Sequence, residues 1–525
     1  MKKKVKKYQE LMFISLILLF TISFYSLTIS LNTTYYDNLD YLHLGKNLKN
    51  GLYDRNFWLR PIVLPFLISI FYLSGLDLFA ITFVLPLIFL IAFFMVNFYF
   101  IKILFNRFLA YITTCFLVTF PALWRWGQYI SVDFLFAVFG ILSLILFYLA
   151  VEKGKKWYLV YSFIAFSISF LTKVSAAAIL IIFILYLLYR RKTKFLISKE
   201  FLLGIFISFI IILIPIFWIY SSSGSEVLRP EILNFSFASE SQEFIFNFLL
   251  TPIVIFLPFG FVYIIKKRKN EHILLLITFF IFLIIFTRTA ALIRYFTMIY
   301  SIVFVFSLFG FFWLKEKIKI KYIFEILLIL FLFVAFLNSI YLLKINSDAN
   351  YGVMELSEYV EKNLNGTISI GSLVQYLDVY TTKNIKQVPH YVEINYTEVD
   401  YDEYFNIVIN KSHPLNSFYF ESSRSGNIRE YYKFNDTWIK NNNISYVILS
   451  IYDEFRISPV EKYYNIFYGG IELPIKRPYL CFRPPEDYKF NSEFYSHIES
   501  SNMYEKVKEI KKGNQTVFII YKVII

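Results

Sequence analysis

Between Lys155-Lys156 and Arg190-Arg191-Lys192 the chain reads WYLVYSFIAFSISFLTKVSAAAILIIFILYLLY, residues 157–189. One helix needs about 20 apolar residues to cross a bilayer, and loops rich in Lys and Arg collect on the cytoplasmic side. With basic clusters at both ends, this run has to leave that side and return to it, so it crosses twice. Its single charged interruption, in Thr172-Lys173-Val174-Ser175, marks the turn. Each half is short for a crossing. A lysine is thereby placed at the outer face.

The same alternation organises the flanks. Toward the N-terminus, spans near 133–151, 108–127 and 78–100 are separated by basic loops carrying Lys102 and Arg107 and by a less basic one at Trp124-Arg125-Trp126. Residues 61–75 are apolar but short and interrupted by Pro61 and Pro65, which suits an interfacial or re-entrant piece. Lys2, Lys3, Lys4, Lys6 and Lys7 fix the N-terminus in the cytoplasm, and residues 11–31 follow as an uncleaved first span, because no small-residue cleavage pattern is present. Toward the C-terminus, spans at 201–220, 248–265, 272–287, 292–313 and 322–343 alternate with Lys266-Lys267-Arg268-Lys269 and the lysines at 315, 317, 319 and 321. The sum is about eleven spans plus interfacial helices, in the plasma membrane, with everything after 343 outside.

Composition agrees. Fifty-eight per cent of the 525 residues are hydrophobic, more than a soluble chain of this size needs. The net charge of +14 sits in short clusters between apolar runs, as topology signals do, so no nucleic-acid partner is expected. Cys115 and Cys481 are the only cysteines, and no disulfide framework follows. Asn-X-Ser/Thr sequons, from Asn32 to Asn514, all fall on segments assigned outside. Residues 344–525 are polar and Tyr-rich, with strand patterns at Thr367–Val379, Ile444–Tyr452 and Thr516–Val523 and a helical one at 352–364. They read as an extracytoplasmic α/β domain.

The first outer loop, 35–51, carries Asp37 and Asp40 among Leu39, Tyr41, Leu42, Leu44 and Leu48 at helical spacing, with Gly51 as a stop. It reads as a short amphipathic helix lying on the membrane, its acidic end favoured by the helix dipole. An ordinary capped helix in an exposed loop is an equal alternative. The topology puts Asp37, Asp40, Arg55, Arg60, Arg125, Asp133, Lys173, Arg288 and Arg294 at one face, from at least five loops. Charges at span ends are costly and so call for a function. Carboxylates suit deprotonation of a hydroxyl or coordination of a metal, and Arg and Lys suit a phosphate. Together they describe an outward site for a phosphorylated substrate with an apolar part in the membrane. Bland roles compete: Arg125 as an interface anchor, Arg55 and Arg60 snorkelling, Arg288 or Arg294 pairing structurally with a carboxylate. No zinc spacing, Walker loop or GxGxxG is present.

Four local patterns carry a family resemblance. They are Asp37-Asn38-Leu39-Asp40-Tyr41 with Leu48 and Gly51, Arg60-Pro61 through Phe66, Phe120-Pro121 through Asp133-Phe134, and Leu171-Thr172-Lys173, with Arg294-Tyr295 as a fifth, later match. In that order they resemble the GT-C membrane glycosyltransferases, most of all the protein O-mannosyltransferase and aminoarabinose-transferase branch (glycosyltransferase family 39-like). The likeness covers roughly the first 310 residues, and residues 1–343 would form the catalytic domain. It implies inverting transfer from a polyprenyl- or dolichyl-phosphate sugar to a lipid, glycan or protein acceptor on the outer face. By the same resemblance Asp37 is the general base or acceptor-orienting group, and Asp133 positions acceptor or metal. Lys173 and Arg294 hold the donor phosphate, with Arg60 and Arg288 nearby. Asn38 stands where an acidic residue often follows the Asp, so Asp40 is the alternative catalytic carboxylate. A divalent cation is an open option. No Trp-Trp-Asp-Tyr-Gly motif occurs, which argues against an oligosaccharyltransferase. The competing classes are a transporter or flippase of a lipid-linked saccharide, which would favour internal repeats and midplane charges, and a non-catalytic surface assembly protein.

Overall fold

The computed structural model describes residues 2–28, 36–53, 60–76, 78–223, 248, 250–288, 293–318, 321–347, 352–370, 377, 380–387, 391–395, 428–432, 436–451, 463–468, 471–476 and 492–524. They fall into two units, one running to Lys344 and one from Ile345.

The first unit is helical. Its helices are α1 (Lys2–Thr28), α2 (Tyr36–Lys49), α3 (Val63–Leu73), α4 (Leu78–Leu104), α5 (Arg107–Val118), α6 (Pro121–Gly127), α7 (Val132–Lys153), α8 (Tyr158–Thr172), α9 (Ala178–Tyr189), α10 (Lys199–Ser223), α11 (Leu257–Lys267), α12 (Asn270–Arg288), α13 (Tyr300–Ile318) and α14 (Lys321–Ser347). Among the described residues six helical stretches are long and apolar enough to cross a membrane, and five more are shorter but apolar. This is a multi-pass membrane protein.

Three differences from the hydropathy reading have local causes. The run 108–127 is two helices, because Phe120 is extended and Pro121 opens a new helix as its first residue. Pro252 and Pro258 likewise leave 3₁₀ geometry over Pro252–Phe256 before α11 begins. The segment Ile293–Ile299 is 3₁₀ and runs into α13. The 157–189 run turns at Lys173, whose φ of −156° and ψ of 122° end α8, and a 3₁₀ turn over Val174–Ala177 then starts the return.

Small polar residues fix how α7 and α8 lie on one another. Ser143 Oγ donates to the Ser162 carbonyl at 2.8 Å, Ser162 Oγ returns a bond to the Ser143 carbonyl at 2.9 Å, and Ser169 Oγ donates to the Phe136 carbonyl at 3.0 Å. In an apolar bundle such bonds set register more than they add stability. Phe147 and Phe183 stack at 4.0 Å, which brings α9 back along α7. At its C-terminal end Glu152 meets Arg190 at 2.9 Å and Lys192 at 3.4 Å. Asp133, 19 residues earlier on α7, is about 28 Å away at 1.5 Å per residue. The helix thus separates two charged ends by about one hydrocarbon thickness.

In the second unit α15 (Val353–Asn363) precedes β1 (Thr367–Ile370), β2 (Asn384–Gln387), β3 (Tyr391–Asn395), β4 (Ile428–Tyr432), α16 (Asp436–Asn441), β5 (Ile444–Ser450), β6 (Tyr463–Tyr468), β7 (Ile471–Lys476), α17 (Ser492–Ser500), β8 (Tyr504–Lys512) and β9 (Gln515–Val523). The main sheet has the order β2-β1-β5-β9-β8, parallel through β2-β1-β5 and antiparallel beyond. Ile439, Ile444, Val447, Leu449, Ile498, Ile519 and Tyr521 form its core beneath α16 and α17. The strand expected over 367–379 stops at Ile370; residues 371–376 lie outside the described residues and Leu377 is helical.

Candidate functional site

Ser131 caps α7. Its Oγ accepts from the Asp133 backbone N–H at 3.1 Å and donates to Asp133 Oδ2 at 3.0 Å. This is an N-cap arrangement, and it fixes the Asp133 carboxylate at the positive end of the helix dipole. From the hairpin turn, Lys173 Nζ reaches Asp133 Oδ1 at 2.5 Å. From the segment before α13, Arg294 Nε lies 3.9 Å from Oδ2 of the same carboxylate. Thr297 Oγ1 donates to the Asp133 carbonyl at 2.9 Å, tying that segment to the start of α7. Three elements far apart in sequence therefore meet on one carboxylate.

The side chains of Asp133, Arg294 and Lys173 are 2%, 8% and 18% exposed. Of the three, the lysine is the one that faces outward most. Aromatic rings complete the wall: Lys173 Nζ lies 3.8 Å from the Tyr295 ring centroid and 5.4 Å from that of Phe286. The Arg294 guanidinium lies 5.0 Å over Trp126. A desolvated cation over such a face gains about 2 kcal/mol. Two cations share one carboxylate, so the cluster carries a net positive charge and suits an anion.

The segment expected as the first outer loop folds as helix α2. It buries Tyr41, Leu42 and Leu44 and exposes Lys46 and Lys49. Asp37 and Asp40 fall near its start, and their side chains lie outside the described residues. Gly45 lets α2 close on α3, since a Cβ there would sit 2.3 Å from Ile68. Leu44, Tyr53, Ile62, Leu171 and Ile219 form one buried cluster. That cluster brings the loop alongside the Lys173 turn, because Leu171 is two residues before it. The Arg60 guanidinium lies 5.4 Å over Tyr41, and the Tyr53 hydroxyl donates to the Arg60 carbonyl. His43 pairs with Asn47 at 2.9 Å along the helix. The side chains of Arg125 and Arg288 and the whole of Arg55 lie outside the described residues.

Of the residues singled out from sequence, Asp133, Lys173 and Arg294 come together; Arg60 packs on α2 instead. Ser131, Thr297 and Trp126 also belong to the cluster, and sequence reasoning misses them. Ser131 carries a readable signal, a Ser two residues before an Asp at a helix start. Thr297 and Trp126 carry none. Among the described residues no three His, Cys, Asp or Glu side chains gather to hold a metal ion. Asp133 does not fit as a metal ligand, since both of its oxygens face cations.

The family model described as dolichyl-phosphate-mannose-protein mannosyltransferase (PMT_2) matches residues 59–218. The match takes in Arg60, Asp133 and Lys173 and leaves out α2 and Arg294. No curated protein matches the sequence. Among solved structures, ArnT from Cupriavidus metallidurans bound to undecaprenyl phosphate aligns with a TM-score of 0.58 at 13% identity, covering 90% of this chain and 99% of that one. The Archaeoglobus fulgidus oligosaccharyltransferase in its apo form aligns with a TM-score of 0.55 at 11% identity, covering 97% and 80%. At such identities the likeness is one of fold. The helical first unit and the C-terminal α/β unit are thus similar in fold to these two structures, and residues 59–218 match the mannosyltransferase family model.

Proposed function

We propose that the protein is an integral-membrane glycosyltransferase that takes its sugar from a polyprenyl-phosphate donor on the outer face of the cell membrane. The observation that supports this most is the convergence of Lys173 and Arg294 on the buried Asp133 at one end of the bundle. A positively charged site at the membrane surface, walled by aromatic rings, suits a phosphate whose lipid tail stays in the bilayer. The match to a mannosyltransferase family model and the fold shared with a protein that binds undecaprenyl phosphate point the same way.

In this reading the acceptor hydroxyl attacks the anomeric carbon as the bond from that carbon to the phosphate oxygen breaks, with inversion. Asp37 on α2 accepts the hydroxyl proton, with Asp40 one turn on as the alternative base. The bonding pair leaves on the phosphate, where Lys173 and Arg294 stabilise the growing charge. Arg60 and Arg288 guide the donor headgroup. The acceptor is a lipid, glycan or protein. No step passes through a metal.

The test is transfer of radiolabelled sugar from polyprenyl-phosphate sugars by purified protein, with membrane-lipid and glycoprotein extracts as acceptors. Turnover that disappears in Asp37→Ala and Asp40→Ala combined is expected. Full activity in that double variant would overturn the assignment of the base. Movement of the donor across vesicles with no transfer would replace the enzyme by a transporter.

A further inference from the structure

Asp133 sits where a substrate-binding acid was expected, yet it is the most buried member of its cluster and both oxygens face cations. It is held there from two sides: Ser131 bonds its backbone and side chain, and Thr297 bonds its carbonyl. Such a group does not reach an acceptor. It does set the charge of the site. Lys173 and Arg294 contribute two positive charges and Asp133 removes one, leaving +1.

We infer that Asp133 is a charge-balancing residue that lets the site distinguish the donor from the spent carrier. This rests on the proposed donor. A sugar–phosphate–polyprenol is a diester with one negative charge, which matches the +1 of this three-residue cluster. After the sugar leaves, the carrier is a monoester approaching two negative charges near neutral pH. Binding it in place of the donor leaves the site with excess negative charge in a low-dielectric surrounding, where an uncompensated charge is costly. Product release is thereby favoured. Without Asp133 the cluster would carry +2 and would hold the dianion.

The experiment measures binding of undecaprenyl phosphate and of its methyl ester, a monoanionic diester, to the detergent-solubilised full chain above pH 7.5. In Asp133→Asn, affinity for undecaprenyl phosphate rises tenfold or more, and affinity for the methyl ester rises less. Asp133→Glu, which keeps the +1, binds undecaprenyl phosphate within about threefold of the native protein. Asp133→Glu retains the carboxylate, so any rise in its affinity for the dianion would have to come from disturbed geometry. Equal or weaker binding of the dianion in folded Asp133→Asn overturns the inference. So does a tenfold or greater rise in Asp133→Glu, which would make geometry rather than charge the cause. If the native protein binds neither ligand, the donor reading fails and the inference with it.

Discussion

At Lys173 the backbone leaves the helix, and the residue's extended φ and ψ throw its side chain toward the start of α7 rather than along α8. A helical lysine at this depth would point back toward its own N-terminus. The break is therefore what delivers the ammonium to Asp133. Lys173→Met is expected to lower sugar transfer by about 100-fold or more, as loss of one preorganised charge does. Lys173→Arg should recover only part of it, since a planar fork does not replace a compact point charge. Initial rates at saturating acceptor check both. The position of Lys173 is legible in the sequence, because a lone charge in an apolar run flanked by basic clusters marks the point where the chain turns back. Its partner is not legible. Asp133 and Arg294 both map to the same face, but nothing in spacing reveals that one carboxylate serves two cations.

Elements are legible where hydropathy and charge change together, and less so where backbone chemistry interrupts an apolar run. In β8 the apolar residues Tyr504, Val507 and Ile510 recur every three positions, a helical signal. The segment is a strand because it pairs with β9, and irregularities between Lys506 and Lys508 and between Ile510 and Lys511 shift its register. The same strand carries a pH-dependent contact. Hydrogen bonds from Lys506, then from Lys511 at 3.0 Å, hold the Glu509 carboxyl at about 2, below its ordinary 4.5. A lowered pKa adds stability above pH 4.5 that is lost as pH falls from there toward 2. The effect is small, as the group lies at the surface. Hydrogen exchange in the intact protein, corrected for intrinsic rates, should show less protection of the β8–β9 hairpin at pH 3 than at pH 5.5. Glu509→Gln should shrink that difference. Within the bundle, α11 and α13 touch through glycine: a Cβ on Gly260 would lie 1.8 Å from the Phe306 carbonyl oxygen. Gly260→Ala should cost about 1–3 kcal/mol, read as a lower melting midpoint. Gly127→Ala should cost less, because its neighbour is the tip of Leu90.

For the whole molecule, hydropathy makes the helical bundle legible, while the alternation of basic clusters is an expectation about which end of each span faces outward. Cysteine scanning tests it. In a background lacking Cys115 and Cys481, Asn514→Cys should react with a membrane-impermeant maleimide on intact cells, and Lys156→Cys only after permeabilisation. The opposite pattern would invert the topology. One further property follows from the hairpin that bears Lys173. Its limbs are α8, 15 residues and about 22 Å at 1.5 Å per residue, and the four-residue 3₁₀ turn with the 12 residues of α9, about 26 Å in all, against a hydrocarbon core of about 30 Å. Hydrophobic mismatch of that size thins the surrounding leaflet. Headgroups beside Lys173 would then ride lower than elsewhere, and under the proposed function the thickness of the host bilayer would become a determinant of turnover.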